Sequence, residues 1–158
     1  MKTEVYQPNW SWNSDTDKWL RTMCIGRTLN FPCGMSNIGD VKADIDRDFA
    51  PNVVADLLDK KTWPWEDSEF DTVICDPPFS YYNKFEWIHN LFNLAKHRLI
   101  LSTICYAIRP KSNIWKKEFY LTLQNGSNEI RHWQIFTKEN YNLEGVEYGN
   151  RELLHPKD

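Results

Sequence analysis

Four short apolar runs in the first half of the chain each end in turn chemistry, and this pattern constrains the fold more than any other feature. Residues 28–31 run into Pro32-Cys33-Gly34, residues 41–45 into Asp46-Arg47-Asp48, residues 53–55 into Asp56, and residues 70–75 into Asp76-Pro77-Pro78. Short runs rich in Val, Ile and Phe are what strands buried on both faces of a sheet look like. Ser14-Asp15-Thr16-Asp17 resembles a capping box and predicts a helix turning Trp19, Leu20 and Met23 inward, with Gly26 as its stop. Apolar residues at 85, 88, 91, 92 and 95 follow a 3.6-residue period, so residues 82–95 read as a second, amphipathic helix. Residues 99–104 form the most apolar strand candidate. Residues 119–123 and 131–137 flank an Asn125-Gly126 pair, a strong hairpin signal. The prediction is a single α/β domain: an open sheet, mostly parallel, with an antiparallel C-terminal hairpin. Ligands of such sheets bind beyond the carboxyl ends of the strands, where all four turn clusters fall.

The chain of 158 residues is one domain by length, with 41% hydrophobic and 26% charged residues, as in ordinary soluble proteins. It has no run of eighteen apolar residues, and Met1-Lys2-Thr3-Glu4 leads into polar sequence, not an apolar signal core. Cysteines 24, 33, 75 and 105 are scattered without zinc spacing, so reduced thiols, a cytoplasmic location and no metal are expected. Charge is uneven. Residues 1–80 carry 8 Lys+Arg against 14 Asp+Glu, and residues 81–158 carry 11 against 8. Six Lys or Arg lie between Lys96 and Lys117 with no acid among them, a candidate surface for phosphates.

Asp76-Pro77-Pro78-Phe79 is the stretch with the most defined chemistry. The exocyclic amine of adenine or cytosine is a poor nucleophile, because its lone pair is delocalised into the ring. Acceptors aimed at both N–H bonds draw it towards tetrahedral geometry, and a carboxylate with a neighbouring carbonyl supplies them. Proline after the carboxylate fixes φ and removes a competing donor. The second proline holds the first extended, with its carbonyl outward. An aromatic in fourth place offers a stacking face worth roughly 1–3 kcal/mol, against the few kcal/mol needed to flip a base out of a duplex.

Residues 70–79, Phe-Asp-Thr-Val-Ile-Cys-Asp-Pro-Pro-Phe, resemble the catalytic motif of class I S-adenosylmethionine-dependent amino-methyltransferases, the enzymes that make N6-methyladenine or N4-methylcytosine. The resemblance extends over about residues 28–105, with a narrower likeness to small DNA methyltransferases of archaeal viruses. It implies a Rossmann-like methyltransferase sheet with core residues about 28–138. It also implies S-adenosyl-L-methionine as cofactor and double-stranded DNA with a flipped adenine as substrate. Asp76, Pro77, Pro78 and Phe79 are then the catalytic set. Phe31, Pro32, Cys33 and Gly34 form the cofactor turn. Asp44 accepts from the ribose hydroxyls with Asp46 as the alternative, and Ile45 between them belongs to the same cofactor-binding set. Asp56 meets the adenine amine, and Leu57 packs on the adenine ring. Each of these acids also has a plain reading as a strand-end turn former.

Two departures from the family pattern stand out. The cofactor turn has fewer glycines than usual, and only residues 32–40 separate the first two strands, too few for an ordinary helical crossover. The helix there is expected to be reduced or absent, with the segment around Trp10 and Trp12 lending a group to the cofactor side. No stretch is long enough for a separate target-recognition domain. Recognition is therefore assigned to Tyr81 and Lys84 after the motif, and to Arg109, Lys111, Trp115, Lys116 and Lys117 in the basic stretch. A homodimer is expected because so small a surface gains from pairing two copies on DNA. Alternative readings are an RNA or N4-cytosine amino-methyltransferase, a cofactor-blind nucleic-acid-binding relative, and a C5-cytosine enzyme using Cys33 as nucleophile.

Overall fold

The computed structural model describes residues 11–83, 86–103, 108–124 and 129–138. Helix α1 spans Ser14–Met23, capped one residue earlier than the sequence suggests: Asn13 accepts the Thr16 N–H at 2.8 Å. It buries Thr16, Leu20 and Met23. At its other end the buried Arg98 guanidinium donates to the Met23 carbonyl at 2.6 Å, where the helix exposes its partial negative charge. Gly26 makes the turn that follows. Its φ is +56°, and a Cβ there would stand 2.3 Å from an Asp71 carboxylate oxygen, so only glycine fits. Asp71 is held because it accepts the Arg27 N–H at 2.8 Å.

The strands are β1 (Thr28–Asn30), β2 (Val41–Asp44), β3 (Val53–Val54), β4 (Phe70–Cys75), β5 (Ala95–Thr103), β6 (Trp115–Gln124) and β7 (Glu129–Lys138). Helix α2 covers Glu86–Leu94, shorter than the periodicity predicts, because Phe79–Asn83 folds as a 3₁₀ turn and Ala95 already begins β5. No helix lies between β1 and β2, as the short spacing implies; β2 and β3 are joined through the 3₁₀ turn Arg47–Phe49.

The seven strands among the described residues form one sheet in the order β3-β2-β1-β4-β5-β7-β6. Pairing is parallel from β3 to β5, while β7 runs antiparallel to both β5 and β6. The C-terminal hairpin is thus present, its strands matched from Trp115↔Lys138 to Gln124↔Glu129. Chain direction across the sheet reverses between β1 and β4, which opens a crevice at their carboxyl ends, as in doubly wound sheets. Helix α1 packs one face through Leu20 and Met23 against Ile74, Ile100, Trp133 and Ile135. Helix α2 packs the other through Trp87, Ile88 and Leu91 against Val73, Leu99 and Leu101. Each such side chain taken from water contributes about 1.5–3 kcal/mol, so both faces stabilise the strand ends that build the site.

Candidate functional site

The carboxyl ends of β1, β2 and β4 meet in a laced loop cluster. Phe31 extends the β1–β4 ladder, its N–H donating to the Ile74 carbonyl at 2.9 Å. Cys33 N–H donates to the Ala43 carbonyl at 2.8 Å, which ties the turn to β2. At Gly34, with φ +49°, the chain turns back, and its N–H donates to Asp44 Oδ2 at 2.9 Å. Asp44 Oδ1 accepts the Asp46 N–H at 3.0 Å. With both oxygens on backbone N–H groups and only 5% exposure, Asp44 braces the turn. Asp46, two residues on, is exposed and shares one oxygen with the Asp48 N–H. Of the two acids proposed for a ribose, Asp46 is the one within reach of solvent.

Other expected cofactor residues divide in the same way. Phe31 is fully buried, edge-on to Trp63 at 5.3 Å and Trp65 at 5.7 Å. Leu57 also lies in the core, so its side chain is not open to a ring. Asp56 is half-buried: its carboxylate accepts the Leu58 N–H at 2.9 Å, and its carbonyl accepts the Trp63 indole N–H at 2.7 Å. Ile45 is exposed between Asp44, which ends β2, and Asp46. The Cys33 thiol is buried and pushed up to about 11, first by desolvation and then by the Asp44 charge, which leaves it protonated and unsuited to nucleophilic attack.

At the end of β4, Asp76 is half-buried and both carboxylate oxygens are engaged. Trp12 Nε1 donates to Oδ2 at 2.7 Å, and Arg131 Nη1 to Oδ1 at 2.9 Å. The side chains of Asp76 and Arg131 are 10% and 20% exposed, so the pair is well shielded from water. Trp12 also stands edge-on to Trp133 at 5.9 Å, which locks the N-terminal segment onto the sheet end. The N-terminal segment, expected to lend a group to the cofactor side, places Trp12 on Asp76 instead of on the Gly34 turn; Trp10 lies outside the described residues. Pro77 is buried and Pro78 half-buried, and the Pro78 carbonyl accepts the Tyr81 N–H at 3.0 Å to start the 3₁₀ turn. The backbone of Phe79 opens that turn, while its side chain lies outside the described set, as does Lys84. Asp76 can still accept from a further donor, because a carboxylate offers about four lone-pair positions.

Tyr81, expected to contact nucleic acid, is partly buried against the core cluster. Its phenol is raised first by burial and then by the charges of Asp56 and Asp44. Tyr82 is buried, and its hydroxyl donates to the Ser102 carbonyl. Two buried polar atoms, Asn30 Oδ1 and Ser102 Oγ, have no hydrogen-bond partner among the described residues. They stand near the ends of β1 and β5, on either side of β4.

The start of β6, with Trp115, Lys116 and Lys117, does not reach this edge. Trp115 pairs with Lys138 at the start of β6, whereas Thr122 pairs with Arg131, which holds Asp76. Seven residues at roughly 3.3 Å each put the start of β6 about 23 Å away, at the amino-terminal edge of the sheet. Trp115 is itself a core residue, 5.2 Å from Phe92 and under the Lys138 ammonium at 4.9 Å, so it presents no free face to a base. Arg109, Lys111 and Lys116 are exposed, and Lys117 donates to the Ile108 carbonyl at 3.1 Å. Lys111 and Lys138 line a cleft of about 350 Å³ at this amino edge with His89 and Trp115. Burial and the Lys111 charge hold His89 below the usual imidazole range.

Among the described residues, no three His, Cys, Asp or Glu side chains converge as a metal site, and no helix is long and apolar enough to cross a membrane. Comparison with protein-family models, curated proteins and solved structures finds no match.

Proposed function

We propose that the chain is an S-adenosylmethionine-dependent amino-methyltransferase acting on adenine N6 in DNA. The observation that carries the reading is the position of Asp76-Pro77-Pro78 at the sheet's reversal point, directly beside the Gly34 turn that Asp44 braces. The residues at that edge fit the cofactor. Asp46 and Asp56 supply carboxylates for a vicinal diol and an amine, Ile45 offers an apolar surface, and a cluster of acids suits a sulfonium cation. The cofactor contributes an electrophilic methyl group, which needs no activation beyond alignment. Asp76 and the Pro77 carbonyl accept from the target amine, and the Phe79 ring stacks on the base. Arg131 and Trp12 orient the Asp76 carboxylate, leaving its remaining lone pairs for the amine. The protonated, buried Cys33 speaks against the C5-cytosine alternative.

Incubation with labelled cofactor and either DNA or RNA, followed by digestion to nucleosides, tests the reading. N6-methyldeoxyadenosine is the expected product. Label only in RNA, or only in N4-methylcytosine, would move the assignment to the corresponding relative, and an absence of cofactor binding by calorimetry would favour a binding-only protein.

A further inference from the structure

The proposed catalytic edge and the basic stretch lie at opposite ends of one sheet, so a single copy presents phosphate-binding lysines far from its own Asp76. The loops at the carboxyl edge interleave exposed Asp46, Asp48 and Asp59 with exposed Arg47, Lys60 and Lys61, so they carry no excess of positive charge. Segments 104–107 and 125–128, which follow β5 and β6, contain no Lys or Arg. A polyanion held at that edge gains from further cations beside those of the β2 and β3 loops.

Strand β6 suggests where they come from. It is the outermost strand after β7, ten residues long, and among the described residues no strand pairs with its outer edge. Phe119 and Leu121 stand on it two residues apart, each 60% exposed. Long unpaired edges with apolar side chains are templates for strand addition. We infer that β6 pairs antiparallel with β6 of a second copy about a two-fold axis at Tyr120, so that the lysines of each copy serve the Asp76 edge of the other.

The register follows from symmetry. A two-fold perpendicular to the sheet keeps each residue on its own face, so one residue must lie opposite its own mate. With Tyr120 on the axis, Phe119 of one copy faces Leu121 of the other, and this occurs twice, covering both exposed apolar side chains. No lysine then faces a lysine: Lys116 falls opposite Gln124, and Glu118 opposite Thr122.

Thr122 is level with Arg131 and so with Asp76. Lys116 of the second copy, with the cleft holding its Lys111 and Lys138, therefore overhangs the Asp76 edge of the first. Four to five strand steps of roughly 4.8 Å separate β4 from β6 and β7 of the second copy, about 19–24 Å along the shared edge. That distance spans about six to seven base pairs of DNA, at roughly 3.4 Å each. The lysines' role rests on the proposed methyltransferase reading; the strand pairing does not.

Two measurements test this. By light scattering, the wild-type chain should have twice its 18.9 kDa mass, and Phe119→Lys/Leu121→Lys, which alters only exposed positions, should be a folded monomer by circular dichroism. A monomeric wild type, including one whose own terminal residues cover β6, overturns the pairing. The second measurement mixes two inactive variants, Asp76→Ala and Lys111→Glu/Lys116→Glu. Hetero-pairs join an intact Asp76 to intact lysines across the two-fold, so random exchange should restore about a quarter of wild-type transfer. A dimer whose mixture stays inactive overturns the shared edge. If the wild type itself transfers no methyl group to DNA, the functional reading and the shared edge fail together, while the mass still decides the pairing.

Discussion

Exchanging Asp44 for Asn separates bracing from binding. Asp44 accepts the Gly34 and Asp46 N–H groups at 2.9 and 3.0 Å in a site only 5% exposed. Asparagine has the same shape but one acceptor oxygen, and its NH₂ must face one of the two N–H groups. One charge-assisted bond is lost and the other becomes neutral, a cost of about 1.5–3 kcal/mol. For a chain of this size that lowers Tm by roughly 4–10 °C. Asp46→Asn, at an exposed position with one local bond, should cost under about 1 kcal/mol. Cofactor titration should show the reverse weighting per unit of stability: Asp46→Asn weakens binding about tenfold in a fully folded protein, as loss of a charged acceptor implies. Urea unfolding and calorimetry together check both statements. An Asp44→Asn variant as stable as wild type that nevertheless loses cofactor would refute the bracing argument and return the ribose contact to Asp44.

Three further outcomes follow from the geometry. Arg131→Gln removes the charged partner of Asp76 and should lower the transfer rate at least about tenfold with cofactor affinity unchanged; an unaltered rate would exclude Arg131 as a positioning residue. The Cys24 and Cys33 thiols are both pushed up to about 11 in the folded chain from a usual value of 9.0. Between these values the unfolded chain sheds protons that the folded chain keeps, so stability should fall as pH rises from about 9 to about 11. A flat stability profile over that window would contradict the burial of these thiols. Gly26→Ala forces the Asp71 carboxylate away from Arg27 and should destabilise by about 1–3 kcal/mol in urea unfolding, whereas a neutral effect would mean the turn is not as tight as drawn.

The strands before residue 103 were readable because each pairs an apolar run with its own local stop. Phe70–Cys75 coincides with its expected limits, and the missing helix between β1 and β2 followed from chain length alone. The hairpin was readable from Asn125-Gly126. Placement of the basic stretch was not. It depends on β6 running in the same direction as β5, a tertiary fact that charge counting does not contain. Trp115 in the core was the bland reading of a tryptophan, decided by Phe92 and Lys138 from distant segments. The Asp76–Arg131 pair, 55 residues apart, left one faint signal: an arginine within an apolar strand beside Trp133 and Ile135 needs an acidic partner. The roles of Asp44 and Asp46 turned on which oxygen each N–H could reach, which no spacing rule resolves.

The central claim is that Asp76 accepts from the target amine. The measurement is methyl transfer from labelled cofactor to duplex DNA by wild type and by Asp76→Ala, read as N6-methyldeoxyadenosine by mass, with cofactor binding measured alongside. The account predicts product with the wild type, a loss of about a hundredfold or more with Asp76→Ala, and equal cofactor affinity in both. Undiminished transfer by Asp76→Ala would contradict it.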